Sequence, residues 1–469
     1  MKLVNKIKSF VICAGLMLHS VAWADYQTQQ VVDNFAKQPS FSHSNISVCV
    51  QNIRSGELVA EYASDKALPT ASTMKTLTGA TALAMLGDDY RFHTLVTLQG
   101  EQKGDTFYGN VILVGGGDPT LGSSNFPNKA SFVDKTITAL ENKGIRNITG
   151  CFIVDSGNYD RYGNSLDIEL EDLGADYGVG VYAINYKDNL LGFNIGSKDG
   201  QIKVKLNKKF ECNINQFVQL GQKENLVIIP YPAVKPSFYI TGEFPSNRKT
   251  QFYEVGNPKP EAELLYDLEQ ACARKHIQLQ KRRENFSKLK SSVLLDYESP
   301  KLAEIIKSLL VRSDNMYADA LLLELAKANQ KVPRRDNGVQ VVKQYWHKQG
   351  LDLQPLFMFD GSGLSRKNSA SARFFSQMLA KAENTKGRSA ITLKNLMPVI
   401  GEDLYISKNL TKAKLGNSLA AKSGSMTNVQ CYVGYYPGDK PIYAWSVLVN
   451  NFHEPNQDIR NEIGKLLVE

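Results

Sequence analysis

The sequence PTASTMKTLT, at residues 69–78, is the most informative segment of the chain. Ser72 and Lys75 stand three residues apart just before an apolar run, so we predict that they share one face at the start of a helix. The positive end of the helix dipole would then favour an alkoxide at Ser72. Burial lowers the pKa of a lysine, and a neutral amine can accept a proton from a nearby hydroxyl. The stretch therefore predicts a serine nucleophile with a lysine as its base.

The Ser-x-x-Lys pattern alone is weak evidence, because the chain contains it three times, starting at residues 72, 246 and 287. Only the first precedes an apolar helical run. Two further patterns strengthen it: SDN at residues 313–315, in an interruption between helices, and KSGS at residues 422–425, between two strand-like runs. A helix terminus and a tight turn are the structural alternatives for these two. Glycine in a strand allows a ligand to approach closely, and the neighbouring lysine and hydroxyls suit a carboxylate.

In the order S-x-x-K, S-D-N, K-[ST]-G, the three patterns resemble those of the serine penicillin-recognising enzymes. The 241 residues from Ser72 to Ser313 are too many for a single-domain β-lactamase, which predicts inserted domains. The sequence resembles the class C low-molecular-mass penicillin-binding proteins, the D-alanyl-D-alanine carboxypeptidase/endopeptidase family of penicillin-binding protein 4. Further stretches that carry the resemblance are GGGDP at 115–119, YAIN at 182–185, RSDNMYA at 312–318, DGSGLS at 360–365 and LVNN at 448–451.

The resemblance implies an α/β fold, with a serine β-lactamase/transpeptidase-like domain and two nested, β-rich inserted domains. Catalytic domain I would comprise residues 25–90 and 290–469, and domain II residues 91–165 and 242–289. Domain III would comprise residues 166–241. The residue pattern supports this division without reference to the family. At residues 166–241 it changes to short runs of alternating polar and apolar residues, which predict a β-rich unit.

The resemblance also implies the roles of five catalytic residues. Ser72 would attack the carbonyl between two D-alanines and form an acyl-enzyme, with Lys75 as its base. Ser313 would relay a proton between Lys75, Lys422 and the leaving amine. Asn315 would orient Lys75 and hydrogen-bond the substrate backbone.

The substrate-binding residues implied by the resemblance lie mainly in the KSGS stretch. Lys422, Ser423 and Ser425, with Gly424 between the two serines, would hold the terminal carboxylate. The backbone N–H groups of Ser72 and Ser425 would form the oxyanion hole. Serines stand at positions 423 and 425 where the family more usually has threonines, which preserves both hydroxyls.

Asp172 is a further candidate substrate-binding residue. In the family, an aspartate near this point of the insertion favours substrates with a free amine near the cross-link. The match is weakened here because Glu169 and Glu171 stand where relatives often have tryptophans. A solvated acidic face is the alternative for Asp172.

The implied function is a serine D-Ala-D-Ala carboxypeptidase/endopeptidase that acts on peptidoglycan stem peptides and is acylated by β-lactam antibiotics. The sequence leaves open which of the two cleavages dominates and whether the protein forms a homodimer. One alternative is a penicillin-acylated peptidoglycan-binding or sensing protein with little turnover. Another is a β-lactamase, which would need a deacylation base; no glutamate motif between Ser313 and Lys422 resembles one.

The N-terminal 24 residues have the features of a signal peptide: three lysines, an apolar run at 10–18 and AWA at 22–24. We predict cleavage before Asp25 and export to the periplasm, with loose membrane association left open. Removing the three lysines lowers the formal net charge from +8 to +5. No later stretch is apolar for long enough to span a bilayer, so we predict no transmembrane anchor after cleavage.

Composition and spacing exclude several other classes of protein. The 469 residues suit two or three globular domains. The GGGDP stretch lacks the lysine and hydroxyl of a phosphate loop, so we predict no nucleotide binding. The modest net charge is typical of solvated surface, and we predict no nucleic-acid partner. The five cysteines of the mature chain show no metal-ligand spacing, and nothing predicts a metal or another cofactor. Cys49 and Cys431 lie in apolar runs and are predicted core residues.

Overall fold

The structure is a computed structural model that describes residues 26–160, 162–207, 211–231, 235–282, 290–385, 387–400, 419–437 and 440–467. The predicted signal peptide lies outside the described residues. The helices are α1 (26–36), α2 (Met74–Leu86), α3 (Phe132–Asn142), α4 (Pro260–Arg274), α5 (Leu302–Arg312), α6 (Asn315–Ala328), α7 (Arg335–Lys348), α8 (Ala372–Asn384) and α9 (Asn456–Leu466). The strands are β1 (Asn45–Asn52), β2 (Leu58–Tyr62), β3 (Leu68–Pro69), β4 (His93–Lys103), β5 (Thr106–Val114), β6 (Asn147–Ile148), β7 (Phe152–Asp155), β8 (Leu190–Lys198), β9 (Gln201–Leu206), β10 (Asn213–Gly221), β11 (Val227–Tyr231), β12 (Ser237–Pro245), β13 (Thr250–Gly256), β14 (Gln278–Leu279), β15 (Ser291–Glu298), β16 (Ser369–Ala370), β17 (Ala420–Met426), β18 (Val429–Tyr436) and β19 (Tyr443–Asn450).

A five-stranded antiparallel sheet forms the centre of the catalytic part, in the order β17-β18-β19-β1-β2. Side chains alternate between its faces. Trp445 and Val447 of β19 therefore pack in one cluster with α1 and α9, while Ala444 joins the helices on the other face. The sheet thus lies between two helical layers. β1 pairs with β19 from opposite ends of the chain, with Asn45 opposite Asn450.

Helix α2 occupies the middle of the larger helical layer. Every residue from Met74 to Ala84 is buried, and the helix contacts α5, α6, α7 and α8. A helix that is buried on all sides needs an apolar or internally satisfied surface. Its polar groups have partners: Thr81 Oγ1, for example, accepts a hydrogen bond of 2.8 Å from Trp346 Nε1. This burial fixes the position of the residues that begin the helix.

The inserted residues form three further sheets. A six-stranded sheet has the order β14-β6-β5-β4-β15, with β7 beside β5, and shares an apolar core with α3 and α4. Two three-stranded sheets, β10-β12-β11 and β13-β8-β9, enclose a separate core that contains Phe193, Phe238 and Ile240. The mixed architecture with β-rich insertions agrees with the predicted fold class.

The predicted domain limits remain predictions. The strand pairing favours later C-terminal limits for domains III and II. Strand β13 pairs with β8, although the predicted limit of domain III is residue 241. Strand β15 pairs with β4, although the predicted limit of domain II is residue 289. Because hydrogen-bonded strands belong to one sheet, we propose that domain III extends to residue 256 and domain II to residue 298.

The structure also shows the environment of the cysteines and the character of the helices. Cys49 and Cys431 are buried, as predicted. Among the described residues, Cys49, Cys212, Cys272 and Cys431 are free thiols. No helix among these residues has the length and apolar character needed to cross a membrane.

Candidate active site

Ser72 lies in a single 3₁₀ turn, Ala71–Thr73, that leads directly into α2. Ala71 has a left-handed backbone (φ +44°), which bends the chain sharply after β3. Thr73 Oγ1 donates to Thr70 O over 2.7 Å and tightens the turn. The amine of Lys75 lies 2.8 Å from Ser72 Oγ. The helix thus brings the serine and lysine together over the i, i+3 spacing.

Lys75 is completely buried. Its amine also donates to Asn315 Oδ1 and, over 2.7 Å, to Ser362 O. Burial lowers the pKa of Lys75 to about 8, an effect that the charge of Asp360 partly opposes. A lysine with this pKa can accept a proton near neutral pH and return it later.

The SDN stretch forms the corner between α5 and α6. Ser313 ends α5 in a left-handed conformation (φ +61°), and Asp314 caps α6 by accepting a 3.0 Å hydrogen bond from Tyr317 N. A non-glycine residue in this conformation is strained and persists only where its surroundings hold it. The corner directs Ser313 and Asn315 towards the same cavity as Ser72.

Lys422 is the second buried lysine of the site and lies in β17. Its amine donates to Ser313 Oγ over 2.9 Å and to Ser423 O over 2.7 Å. Burial, reinforced by the charge of Lys75, lowers the pKa of Lys422 well below its ordinary value. The site therefore contains two serine–lysine pairs, one from each half of the chain.

Gly424 brings β17 against the turn that carries Ser72. A Cβ atom at this position would lie 2.7 Å from Thr70 O and 3.0 Å from Ser72 N. Contacts this short with backbone atoms exclude a side chain. On either side of the glycine, Ser423 is buried and Ser425 is exposed at the cavity.

The cavity has a volume of about 450 Å³ and is bounded partly by the insertion. Tyr177 connects the insertion to the site through two hydrogen bonds. Its backbone carbonyl accepts from Asn315 Nδ2 over 2.8 Å, and the hydroxyl of Tyr177 donates to Asp172 Oδ1 over 2.7 Å. Asp172 thus lies on the wall of the cavity. The lining residues are Ser72, Asp172, Asp176, Tyr177, Arg312, Ser313, Asn315, Gly363, Leu364, Arg366, Ser425, Met426 and Thr427.

Ion pairs fasten this wall to the catalytic part. Arg366 pairs with Glu169, and Lys367 pairs with Asp167. Both acidic residues precede Asp172 in the chain, so the pairs hold the segment beside the cavity. Glu169, which weakened the sequence match at this point, therefore has a structural partner.

Several contacts of the site were missing from the sequence analysis. Lys75 and Asn315 are held by the backbone carbonyls of Ser362 and Tyr177, and backbone atoms leave no signature in a sequence. The DGSGLS stretch did contain a signal. The carboxylate of Asp360 accepts from the N–H groups of Gly363 and Ser365, each over 2.7 Å, and so shapes the loop that presents Ser362 O.

No cluster of three or more His, Cys, Asp or Glu side chains suited to a metal ion occurs among the residues described. The groups that meet beside Ser72 include the hydroxyl of Ser313, the amines of Lys75 and Lys422 and the side-chain amide of Asn315. These groups support nucleophilic attack and proton transfer.

The chain belongs to the D-Ala-D-Ala carboxypeptidase 3 (S13) family, whose profile matches residues 28–468. This is a family of serine peptidases, and the predicted family, fold class and enzyme class are confirmed. The structure of penicillin-binding protein 4 from Haemophilus influenzae has a TM-score of 0.78 and 21% sequence identity, covering 94% of this chain and 99% of that one. A second structure of that protein, in complex with a β-lactam, has a TM-score of 0.75.

Two curated relatives match over most of their length. The D-alanyl-D-alanine carboxypeptidase of Actinomadura sp. (strain R39) is 24% identical over 457 residues, covering 91% of this chain and 81% of the relative. The D-alanyl-D-alanine carboxypeptidase DacB of Haemophilus influenzae is 24% identical over 450 residues, covering 92% and 90%.

Proposed function

We propose that this protein is a serine D-Ala-D-Ala carboxypeptidase/endopeptidase that trims or un-cross-links peptidoglycan stem peptides and is acylated by β-lactams. The observation that carries the proposal is the meeting of two serine–lysine pairs, Ser72–Lys75 and Ser313–Lys422, at one cavity. Such a peptidase would work where peptidoglycan lies, which agrees with the predicted export to the periplasm.

In the acylation step, Ser72 Oγ attacks the carbonyl carbon between the two D-alanines while the neutral amine of Lys75 takes the hydroxyl proton. The pKa of about 8 supports this role, because about one tenth of Lys75 is then neutral at pH 7. The hydrogen bonds from Lys75 to Asn315 and Ser362 keep its amine within 2.8 Å of the hydroxyl.

The negative charge of the tetrahedral intermediate needs donors beside the nucleophile. Gly424 comes close to the Ser72 turn, since a Cβ on it would lie 3.0 Å from Ser72 N, and Ser425 is the next residue of β17. This supports an oxyanion hole formed by the backbone N–H groups of Ser72 and Ser425. Each such donor typically lowers the activation free energy by about 2.7–4 kcal/mol.

The leaving amine must gain a proton when the peptide bond breaks. Ser313 is suited to deliver it, because its hydroxyl accepts from Lys422 and faces the same cavity as Ser72. The proton that Lys75 took from Ser72 replaces, through the lysine pair, the one that Ser313 gave to the amine, so Lys75 is neutral again. A water molecule then attacks the acyl carbon, and Lys75 takes its proton and passes it to Ser72 Oγ as the acyl bond breaks. Release of the acyl group regenerates Ser72 and completes the hydrolysis.

The edge of β17 offers a place for the substrate. This strand is at the end of the central sheet, and residues 398–400 cover its outer edge only near Ala420 and Ala421. Among the described residues, no strand covers the edge from Ser423 onward. A peptide can add to such an edge through backbone hydrogen bonds. Ser423 and Ser425 would then donate to its terminal carboxylate.

Asp172 would recognise a free amine of the stem peptide from the opposite wall. Its carboxylate faces the cavity and has one partner among the hydrogen bonds described, the hydroxyl of Tyr177. A penicillin presents a carboxylate and a strained amide, so it fits the same groups and acylates Ser72.

The test is to incubate the mature protein with a cross-linked muropeptide dimer and identify the products by mass spectrometry. Formation of monomers demonstrates endopeptidase activity, and free D-alanine from an intact dimer demonstrates carboxypeptidase activity. Ser72→Ala should abolish both. Ser246→Ala, the exposed serine of the second Ser-x-x-Lys pattern, is the matched control and should retain full activity.

Two outcomes would contradict the proposal. Acylation by penicillin without either product would favour the sensing protein. Rapid turnover of penicillin, without peptide cleavage, would favour the β-lactamase.

A further inference from the structure

The C-terminal helix α9 reaches the substrate-binding strand from the face of the sheet opposite to α2. Two of its side chains contact Ser425: Asn456 Nδ2 and Arg460 Nη2 each lie 3.3 Å from Ser425 Oγ. Asn456 also donates to Met426 O over 3.4 Å. The helix is therefore bound to β17 at the residue that closes the KSGS stretch.

Both groups that contact Ser425 Oγ can only donate. A guanidinium and a side-chain NH₂ group carry no acceptor, and a serine hydroxyl has two acceptor sites and one proton. The oxygen of Ser425 must therefore accept both hydrogen bonds, which leaves its proton to point elsewhere. Because Ser425 lines the cavity, the hydroxyl becomes a donor towards the substrate.

Arg460 is itself held in place by a buried side chain. Its Nε donates over 3.0 Å to Oε1 of Gln430, which is only 1% exposed. Gln430 Nε2 in turn lies 3.3 Å from Gly424 O. The guanidinium is thus connected to the strand on both sides of the peptide between Gly424 and Ser425, and it places a permanent positive charge there.

We propose that Arg460 and Asn456 are positioning residues that orient the Ser425 hydroxyl as a donor to the terminal carboxylate, and that Arg460 supplies the charge that selects for this carboxylate. The inference rests on the proposed function and adds a specificity element to it. It predicts that these residues distinguish an acid from an uncharged analogue at the C-terminus of the substrate.

The experiment compares an N-acylated D-alanyl-D-alanine peptide with its C-terminal amide. We expect Arg460→Gln to raise KM for the acid about three- to tenfold, the range of one net hydrogen bond, and to leave the amide unchanged. Asn456→Ala should act in the same direction. Lys465→Gln, which removes a positive charge elsewhere on α9, is the matched control and should change neither substrate.

A second variant separates positioning from general loosening of the fold. In a Ser425→Ala background, Arg460→Gln should add less than it does in the wild type, because both substitutions remove the same interaction. Equal losses for the acid and the amide would show a merely structural role and overturn the inference, as would an unchanged KM for the acid.

Penicillin and its methyl ester provide a readout that does not depend on peptide turnover. If the wild type cleaves no peptide, the proposed function fails. The inference would still be supported if Arg460→Gln slowed acylation by the acid and not by the ester. Equal slowing by both compounds would overturn it.

Discussion

Lys75 and Lys422 occupy nearly equivalent positions in the two halves of the site, yet their electrostatic surroundings differ. Both are fully buried, and each amine lies within 2.9 Å of a serine hydroxyl. Three carboxylates, those of Asp360, Asp319 and Asp314, raise the pKa of Lys75 against the effect of burial. For Lys422, both burial and the charge of Lys75 lower the pKa.

We propose that this difference gives the two lysines different catalytic roles. Lys75 remains able to change protonation state near neutral pH, as a base that must take and return a proton requires. The lowered pKa of Lys422 means that it gives up a proton more readily than an ordinary lysine, which suits a proton relay with Ser313. Arg460, whose charge does not depend on pH in this range, is better suited to attract the substrate carboxylate.

The largest expected effect comes from replacing the two lysines separately. Lys75→Met should reduce acylation of Ser72 by penicillin about 10³-fold or more, because the base for the attack is lost. Lys422→Met should reduce acylation about tenfold to 10²-fold, since Ser313 loses a partner but Ser72 keeps its base. Acylation is measured by intact-protein mass spectrometry over time.

Lys103→Met, at an exposed position paired with Glu101, is the control for the loss of a lysine and should acylate normally. A larger loss in Lys422→Met than in Lys75→Met would reverse the assignment of the base.

The contact between the two halves can be disturbed with one methyl group. Gly424→Ala should reduce acylation about 10²-fold, because its Cβ would force β17 away from the Ser72 turn. Overpacking should also lower the free energy of unfolding by about 1–3 kcal/mol, measured by denaturant titration.

The matched control is Gly79→Ala, in the middle of α2. There the new Cβ would meet Ile306 Cγ2 at an ordinary distance of 3.4 Å. Full activity is expected, with stability raised by up to about 1 kcal/mol from helix propensity. An active Gly424→Ala protein would mean that the close approach does not matter for catalysis.

The smallest expected effect is a shift in the pH profile. For the wild type, kcat/KM should rise with pH and level off above about 8, as Lys75 loses its proton.

The pKa of Asp314 is raised to about 6 by burial, so its carboxylate is charged where Lys75 titrates. Asp314→Asn removes this charge and keeps an oxygen for the helix cap. The pKa of Lys75 should therefore fall, and the acidic limb should move to lower pH by less than about one unit.

The remote, exposed Asp336→Asn should leave the pH profile in place. A limb that moves to higher pH, or a rate that does not vary between pH 6 and 9, would contradict titration by Lys75.

The sequence was sufficient to predict what depends on short-range spacing. Ser72 and Lys75 were predicted to meet at the start of a helix, and they do. Gly424 was predicted to let a ligand approach the strand, whereas the structure shows the backbone of the Ser72 turn beside it. The sequence was not sufficient for contacts made by backbone atoms, such as Tyr177 O with Asn315. Arg460 was also missed, because only the packing of a terminal helix against β17 brings it to Ser425.

The pairing of β1 with β19 has a consequence for how the protein comes to be active. Asn45 lies opposite Asn450, so the central sheet closes only after nearly the whole chain has been synthesised. A nascent or truncated chain already carries the nucleophile but lacks β17 and the last helix. Such long-range closure is slow, because the entropy cost of the loop precedes the stabilising contacts. The order of the elements therefore predicts that a chain ending before β17 has no peptidase activity, because it lacks Lys422 and the strand that borders the cavity.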